Sequence, residues 1–120
     1  MRDGYYAGWH GDEYEASPEG AVIRLYTEQP ADGFTEIKAG RYLRVVPAHE
    51  IEYVGYVKTV CMWRGEPFQV LGEHDDWVRV EYTGGQAPVA ERLGLERYDR
   101  GVYQAWAPRA ELEAIREEHH

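Results

Sequence analysis

A chain of 120 residues lies in the range of one domain or of two very small ones packed together, and each half alone would be marginal by surface-to-volume scaling, so the halves are expected to share a core. Acidic residues outnumber basic ones 22 to 13, for a formal net charge of −9; this argues against binding nucleic acid by phosphate neutralisation and against docking on an anionic membrane, while it favours solubility and would speed encounter with a basic protein partner. The single cysteine, Cys61, excludes an internal disulfide, and with no apolar run of secretory or transmembrane length the chain reads as cytoplasmic.

Taken in chain order, Tyr5 to Trp9 and Glu13 to Ala16 are expected to form a hairpin closed at Gly11-Asp12. Pro18-Glu19-Gly20 reads as a turn. Ala21 to Thr27, rich in branched and aromatic side chains, reads as a strand. Pro30 to Gly33 marks another turn and Tyr42 to Val46 another strand. Pro47 then opens a short helical turn over Ala48 to Glu52, a position where its missing N–H does no harm. Next come a strand over Tyr56 to Trp63, a turn at Gly65-Glu66, a strand over Phe68 to Leu71, a turn at Glu73 to Asp76 and a strand over Trp77 to Thr83. In the following segment, Pro88 and Gly94 bracket a short run, which predicts a helix over about 86–94. Val102 to Trp106 is the last expected strand. Leu112 and Ile115, three residues apart, predict a C-terminal helix over Ala110 to Glu118. His119 and His120 resemble the start of a purification tag and are left out of metal arguments.

This order of elements is written twice. Gly33 to Glu52 aligns without a gap on Gly94 to Glu113, matching Gly33, Gly40, Tyr42, Pro47, Glu50 and Glu52 with Gly94, Gly101, Tyr103, Pro108, Glu111 and Glu113. Upstream, Trp9 to Ala16 and Trp63 to Val70 both fit W-x-G-[DE]-x-[YF]-x-[AV]. Internal repeats constrain architecture more strongly than any single element. Short, turn-separated strands at this spacing suggest small barrels or one continuous antiparallel sheet, so the expected fold is all-β, with two tandem small β-barrel repeats over 1–54 and 55–120 forming one compact unit.

The run GEPFQVLGEHDDWVRVEY from Gly65 to Tyr82, followed by AWAPRAELE from Ala105 to Glu113, resembles a bacterial SH3-type barrel over about half the chain. The acidic loop and ALYDY-like segment of eukaryotic SH3 domains are absent. As a doublet the chain also resembles small duplicated proteins found beside bacterial toxin genes, a resemblance that implies an immunity-type role.

No assembled catalytic set is legible. Neither G-x-G-x-x-G nor G-x-x-x-x-G-K occurs, Ser17 is the sole serine and lies in front of a turn proline, and no carboxylate pair stands out. Cys61 sits in an apolar run and reads as a buried, inert thiol. His10 and His49 read as surface residues. Glu73-His74-Asp75-Asp76 is the densest polar cluster, but consecutive turn residues point apart, so it reads as a solvated turn rather than a metal site. No catalytic residue, metal or cofactor is assigned.

The aromatics say more. Trp9 and Trp63 recur, as do Tyr42 and Tyr103, which marks them as scaffold. Trp77 and Trp106 stand where the first copy has Val22 and Val45. Core packing is their expected fate; exposed, they would form a recognition patch with Tyr82 or Tyr98. Glu73, Asp75, Asp76, Glu91, Glu96 and Asp99, acids of the second half, would ring that patch and steer a basic partner. The candidate partner-binding set is Glu73, His74, Asp75, Asp76, Trp77, Tyr82, Tyr98 and Trp106. The leading expectation is a non-enzymatic protein-binding module of the immunity or antitoxin type. The alternatives are an SH3-type peptide or cell-wall binding module and a small metal-dependent enzyme centred on His74.

Overall fold

A computed structural model describes residues 1–120. Strands β1 (Gly4–Trp9), β2 (Asp12–Glu19), β3 (Val22–Thr27), β4 (Thr35–Lys38) and β5 (Arg41–Pro47) lead into a 3-10 turn at Ala48–Glu50. The same succession follows as β6 (Tyr53–Trp63), β7 (Glu66–His74), β8 (Trp77–Tyr82), β9 (Glu96–Asp99) and β10 (Val102–Pro108), with a 3-10 turn at Arg109–Glu111. Helix α1 (Ala87–Arg92) lies between β8 and β9, and β11 (Glu113–His119) closes the chain. All strands belong to one antiparallel sheet in the order β4-β5-β3-β2-β1-β6-β7-β8-β10-β9, with β11 pairing β6 off this path. The fold is all-β, as the spacing of turns and strands predicts. No helix is long and apolar enough to cross a membrane.

The tight hairpins follow from turn chemistry. Trp9 pairs with Asp12 across His10-Gly11, and Trp63 with Glu66 across Arg64-Gly65. Both central residues have positive φ in each turn: 50° and 83° in the first, 53° and 78° in the second. That is the primed-turn geometry whose twist matches the flanking strands, and glycine is needed where the side chain would otherwise clash. Each turn sits one residue earlier than the glycine-acid signal suggests. Helix α1 lies inside the predicted span, and Gly94 follows it with φ 71°.

Two expectations are corrected. The shared core is replaced by two buried clusters, one in each of two compact units, residues 4–57 with 119–120 and residues 1–3 with 58–118. In the first unit Ala7, Trp9, Ala16, Ile23, Leu25 and Val46 are buried, with Tyr14 and Phe34 packed against them. In the second, Trp63, Phe68, Val70, Val78, Val80, Tyr82, Tyr103 and Leu112 are buried together with Ala90 of α1. The physical reason lies in the rings. Trp63 meets Phe68 at 5.4 Å and Phe68 meets Tyr82 at 5.7 Å, while Trp9 meets Tyr14 and Phe34 at 6.3 and 6.4 Å. Each such ring buries on the order of 150–250 Å², so a few strands close a core without borrowing from the other half.

The C-terminal helix is the second correction. After the Arg109–Glu111 turn the chain runs on as β11, with Ala114 at φ 50°. Nine residues with two apolar positions make a marginal helix in water. The edge of β6 instead offers its backbone: the His120 N–H donates to the Tyr56 carbonyl at 2.8 Å, and the Tyr56 N–H donates to the His120 carbonyl at 3.0 Å. Of the tag-like histidines, His119 thus ends β11 and His120 is tied to β6 by backbone bonds. Strands β4 and β9 had no counterpart in the sequence reading. Both are exposed along their whole length, so no apolar alternation announces them.

Candidate functional site

Period-two alternation sorts β8 into two faces. Val78, Val80 and Tyr82 are buried, which sends Trp77, Arg79 and Glu81 outward. Antiparallel register sets Pro108, Trp106 and Gln104 of β10 opposite those three residues, and His74 of β7 opposite Trp77. Trp77 is 47% exposed and Trp106 49% exposed. With His74 they line an open apolar cleft of about 300 Å³. The core packing expected for these tryptophans is therefore overturned. A signal was available: Trp77 alternates in phase with the charged Arg79 and Glu81, which seek water. In the first unit Val45, the counterpart of Trp106, is also outward, at 52% exposure. The second copy thus carries large rings where the first carries a valine.

A polar lattice braces this face. The Arg79 guanidinium donates to Gln104 Oε1 at 3.2 Å and to Glu96 Oε2 at 3.0 Å, and it lies 5.6 Å from the Trp106 ring centroid. Gln104 Nε2 donates to Glu81 Oε1 at 3.0 Å. The nearly buried Gln104 amide is satisfied at both ends, so the lattice holds its side chains in one arrangement. Sequence reasoning missed Arg79 and Gln104, because their roles depend on register across strands.

The turn before Trp77 is organised by another residue that sequence reasoning missed, Arg109. Its guanidinium donates to Glu73 Oε1 at 2.6 Å and to the Asp75 carbonyl at 2.9 Å, and its backbone N–H donates to the Asp76 carbonyl at 2.8 Å. Its repeat counterpart is Ala48, so its presence in one copy was the available signal. Glu73 also accepts from the Met1 amine at 3.0 Å. Its carboxylate is therefore already engaged by two cations within the fold. The Asp75 and Asp76 side chains are exposed, and Asp75 Oδ2 lies 3.6 Å from His74 Nε2.

The remaining candidates divide. Tyr82, 9% exposed, belongs to the core beside Phe68 and leaves the patch. Even parity with Val78 and Val80 put it there. Tyr98 is 68% exposed on edge strand β9 but does not line the cleft. No group of three or more His, Cys, Asp or Glu side chains is arranged to hold a metal ion. Cys61 is buried, and burial pushes its thiol pKa up, away from thiolate character at neutral pH. His10 and His49 are exposed, as expected, and His10 stacks on Trp9 at 3.9 Å. A second cavity of about 210 Å³ lies beside the α1 insertion, lined by Tyr82, Tyr103, Thr83 and the loop preceding α1.

The Arg109 bond, followed by that from the Met1 amine, holds the Glu73 carboxyl below the usual carboxylate range. A depressed carboxyl contributes stability above its unfolded pKa and loses it as pH falls through the folded value. Glu73→Gln is accordingly expected to lower Tm at pH 7, with the difference from wild type shrinking as pH drops below the ordinary glutamate value of about 4.3. Melting curves across pH 2 to 7 check this; a pH-independent difference would contradict it.

Fold and face together define an all-antiparallel-β protein that presents an aromatic cleft on the outer surface of one sheet segment. The chain belongs to the family described as Uncharacterised conserved protein UCP033725, whose model matches residues 1–120. No match is found among curated proteins or among solved structures.

Proposed function

We propose that this chain is a non-enzymatic protein-binding module, an SH3-like immunity or antitoxin-type protein that occludes a basic toxin or enzyme partner with its Trp77–Trp106 face. One observation carries the reading: two half-exposed tryptophans line an apolar cleft on a rigid strand pair. Both rings keep about half of their surface exposed, with the Arg79 guanidinium 5.6 Å from the Trp106 centroid, and tryptophan is among the residues most enriched at binding hot spots. The acid excess, with a net charge of −9, supports a basic partner through faster encounter. The immunity role draws on the sequence resemblance to small duplicated proteins encoded beside bacterial toxins.

Trp77→Ala and Trp106→Ala are each expected to weaken partner binding by about 2 kcal/mol, roughly thirtyfold, with the circular dichroism spectrum unchanged. The measurement is affinity of the purified partner for each variant by calorimetry. The immunity role requires in addition that the partner be toxic when expressed alone and harmless beside this chain. Undiminished affinity in the double variant would remove this face from the proposal.

A further inference from the structure

We infer that the cleft between Trp77 and Trp106 receives a cationic side chain, an arginine or lysine projecting from a basic segment of the partner protein. This rests on the reading of the face as a docking surface and adds what enters it. The cleft walls are two indole rings and an imidazole, and the indole face is the aromatic surface that attracts a cation most strongly. The fold already contains such a pairing on a smaller scale, with the Arg79 guanidinium 5.6 Å from the Trp106 centroid. That guanidinium is balanced by Glu96 at 3.0 Å and cannot swing into the cleft without leaving Gln104.

The charge beside the cleft is what remains unbalanced. Asp75 Oδ2 sits 3.6 Å from Nε2 of the His74 imidazole that forms the third wall. No arginine or lysine pairs with Asp75 or with Asp76. Arg109, the guanidinium nearest in register, is turned to Glu73 and to the Asp75 carbonyl. Aromatic walls with the Asp75 carboxylate against the His74 wall complement a long side chain that has an apolar stem and a charged end. An anionic or purely apolar occupant would leave that carboxylate unanswered.

The test uses the full chain labelled with ¹⁵N, titrated with Nα-acetyl-arginine amide, with its uncharged isostere Nα-acetyl-citrulline amide, and with acetyl-prolyl-proline amide. The arginine probe is expected to move the indole N–H resonances of Trp77 and Trp106 while leaving those of Trp9 and Trp63 in place. The citrulline probe is expected to bind more weakly, and Asp75→Asn with Asp76→Asn to weaken the arginine probe, each by about 2- to 30-fold. Equal binding of arginine and citrulline, or no loss in the double asparagine variant, would overturn the inference. Preferential binding of the proline probe would also overturn it, while leaving the face as a docking surface. If no probe moves either indole, the inference fails. Partner affinity of the Trp77→Ala and Trp106→Ala variants then decides separately whether the docking surface itself stands.

Discussion

Phe68→Ala is expected to lower stability by about 3–5 kcal/mol, the usual cost of emptying a fully buried aromatic site. Phe68 has no exposed surface and pairs across strands with Cys61 and Tyr82. Its ring sits between those of Trp63 and Tyr82, at 5.4 and 5.7 Å. Both neighbours are held by their own strands, so the wall cannot fold inward over the vacancy, and the cavity term adds to the lost transfer term. Urea unfolding checks this as a reduced midpoint at unchanged slope. A loss below about 1 kcal/mol would mean that the cluster repacks freely, contrary to its close packing. Leu25→Ala, in the cluster of the other unit, is expected to cost about 2–5 kcal/mol by the same argument.

Glu111→Ala is expected to destabilise by about 1–3 kcal/mol, through a group that is not its own. The Trp63 indole Nε1 donates to Glu111 Oε1 at 3.0 Å, and Trp63 is buried. Removing the acceptor leaves a buried donor unsatisfied, which costs more than an ordinary hydrogen bond contributes. The first unit supplies the control. Trp9 corresponds to Trp63 and Glu50 to Glu111, yet the buried Trp9 Nε1 has no partner. Glu50→Ala is therefore expected to change stability by no more than about 0.5 kcal/mol, the ordinary range of a surface substitution. Parallel denaturation of the two variants reads the difference. Equal losses would show that the glutamates act through something other than the indole.

Much of the fold was legible because turn chemistry is local. His10-Gly11 and Arg64-Gly65 close hairpins through positive φ in adjacent residues, and the segment holding Pro88 and Gly94 contains a short helix. The candidate site was half legible. His74, Asp75, Trp77 and Trp106 do come together at one end of the β7-β8-β10 face, and the residues unique to the second copy led to them. Tyr82 was misplaced because residue type outweighed parity in the reading. The bond of Glu73 to Arg109 was not legible because the two lie far apart along the chain.

The sequence by itself determined the class of the fold, the tight turns to within one residue, the α1 insertion and the twofold recurrence of landmarks. The first three rest on neighbours a few residues apart. Only the tertiary structure decided that the halves bury separate clusters, that residues 113–119 pair with β6 instead of coiling, and that Arg79 and Gln104 brace the Trp106 face. Each of these turns on which distant strand a residue meets. Backbone groups at a strand edge and side chains on a pleated face take their state from that partner, and strand register is set by the sheet as a whole.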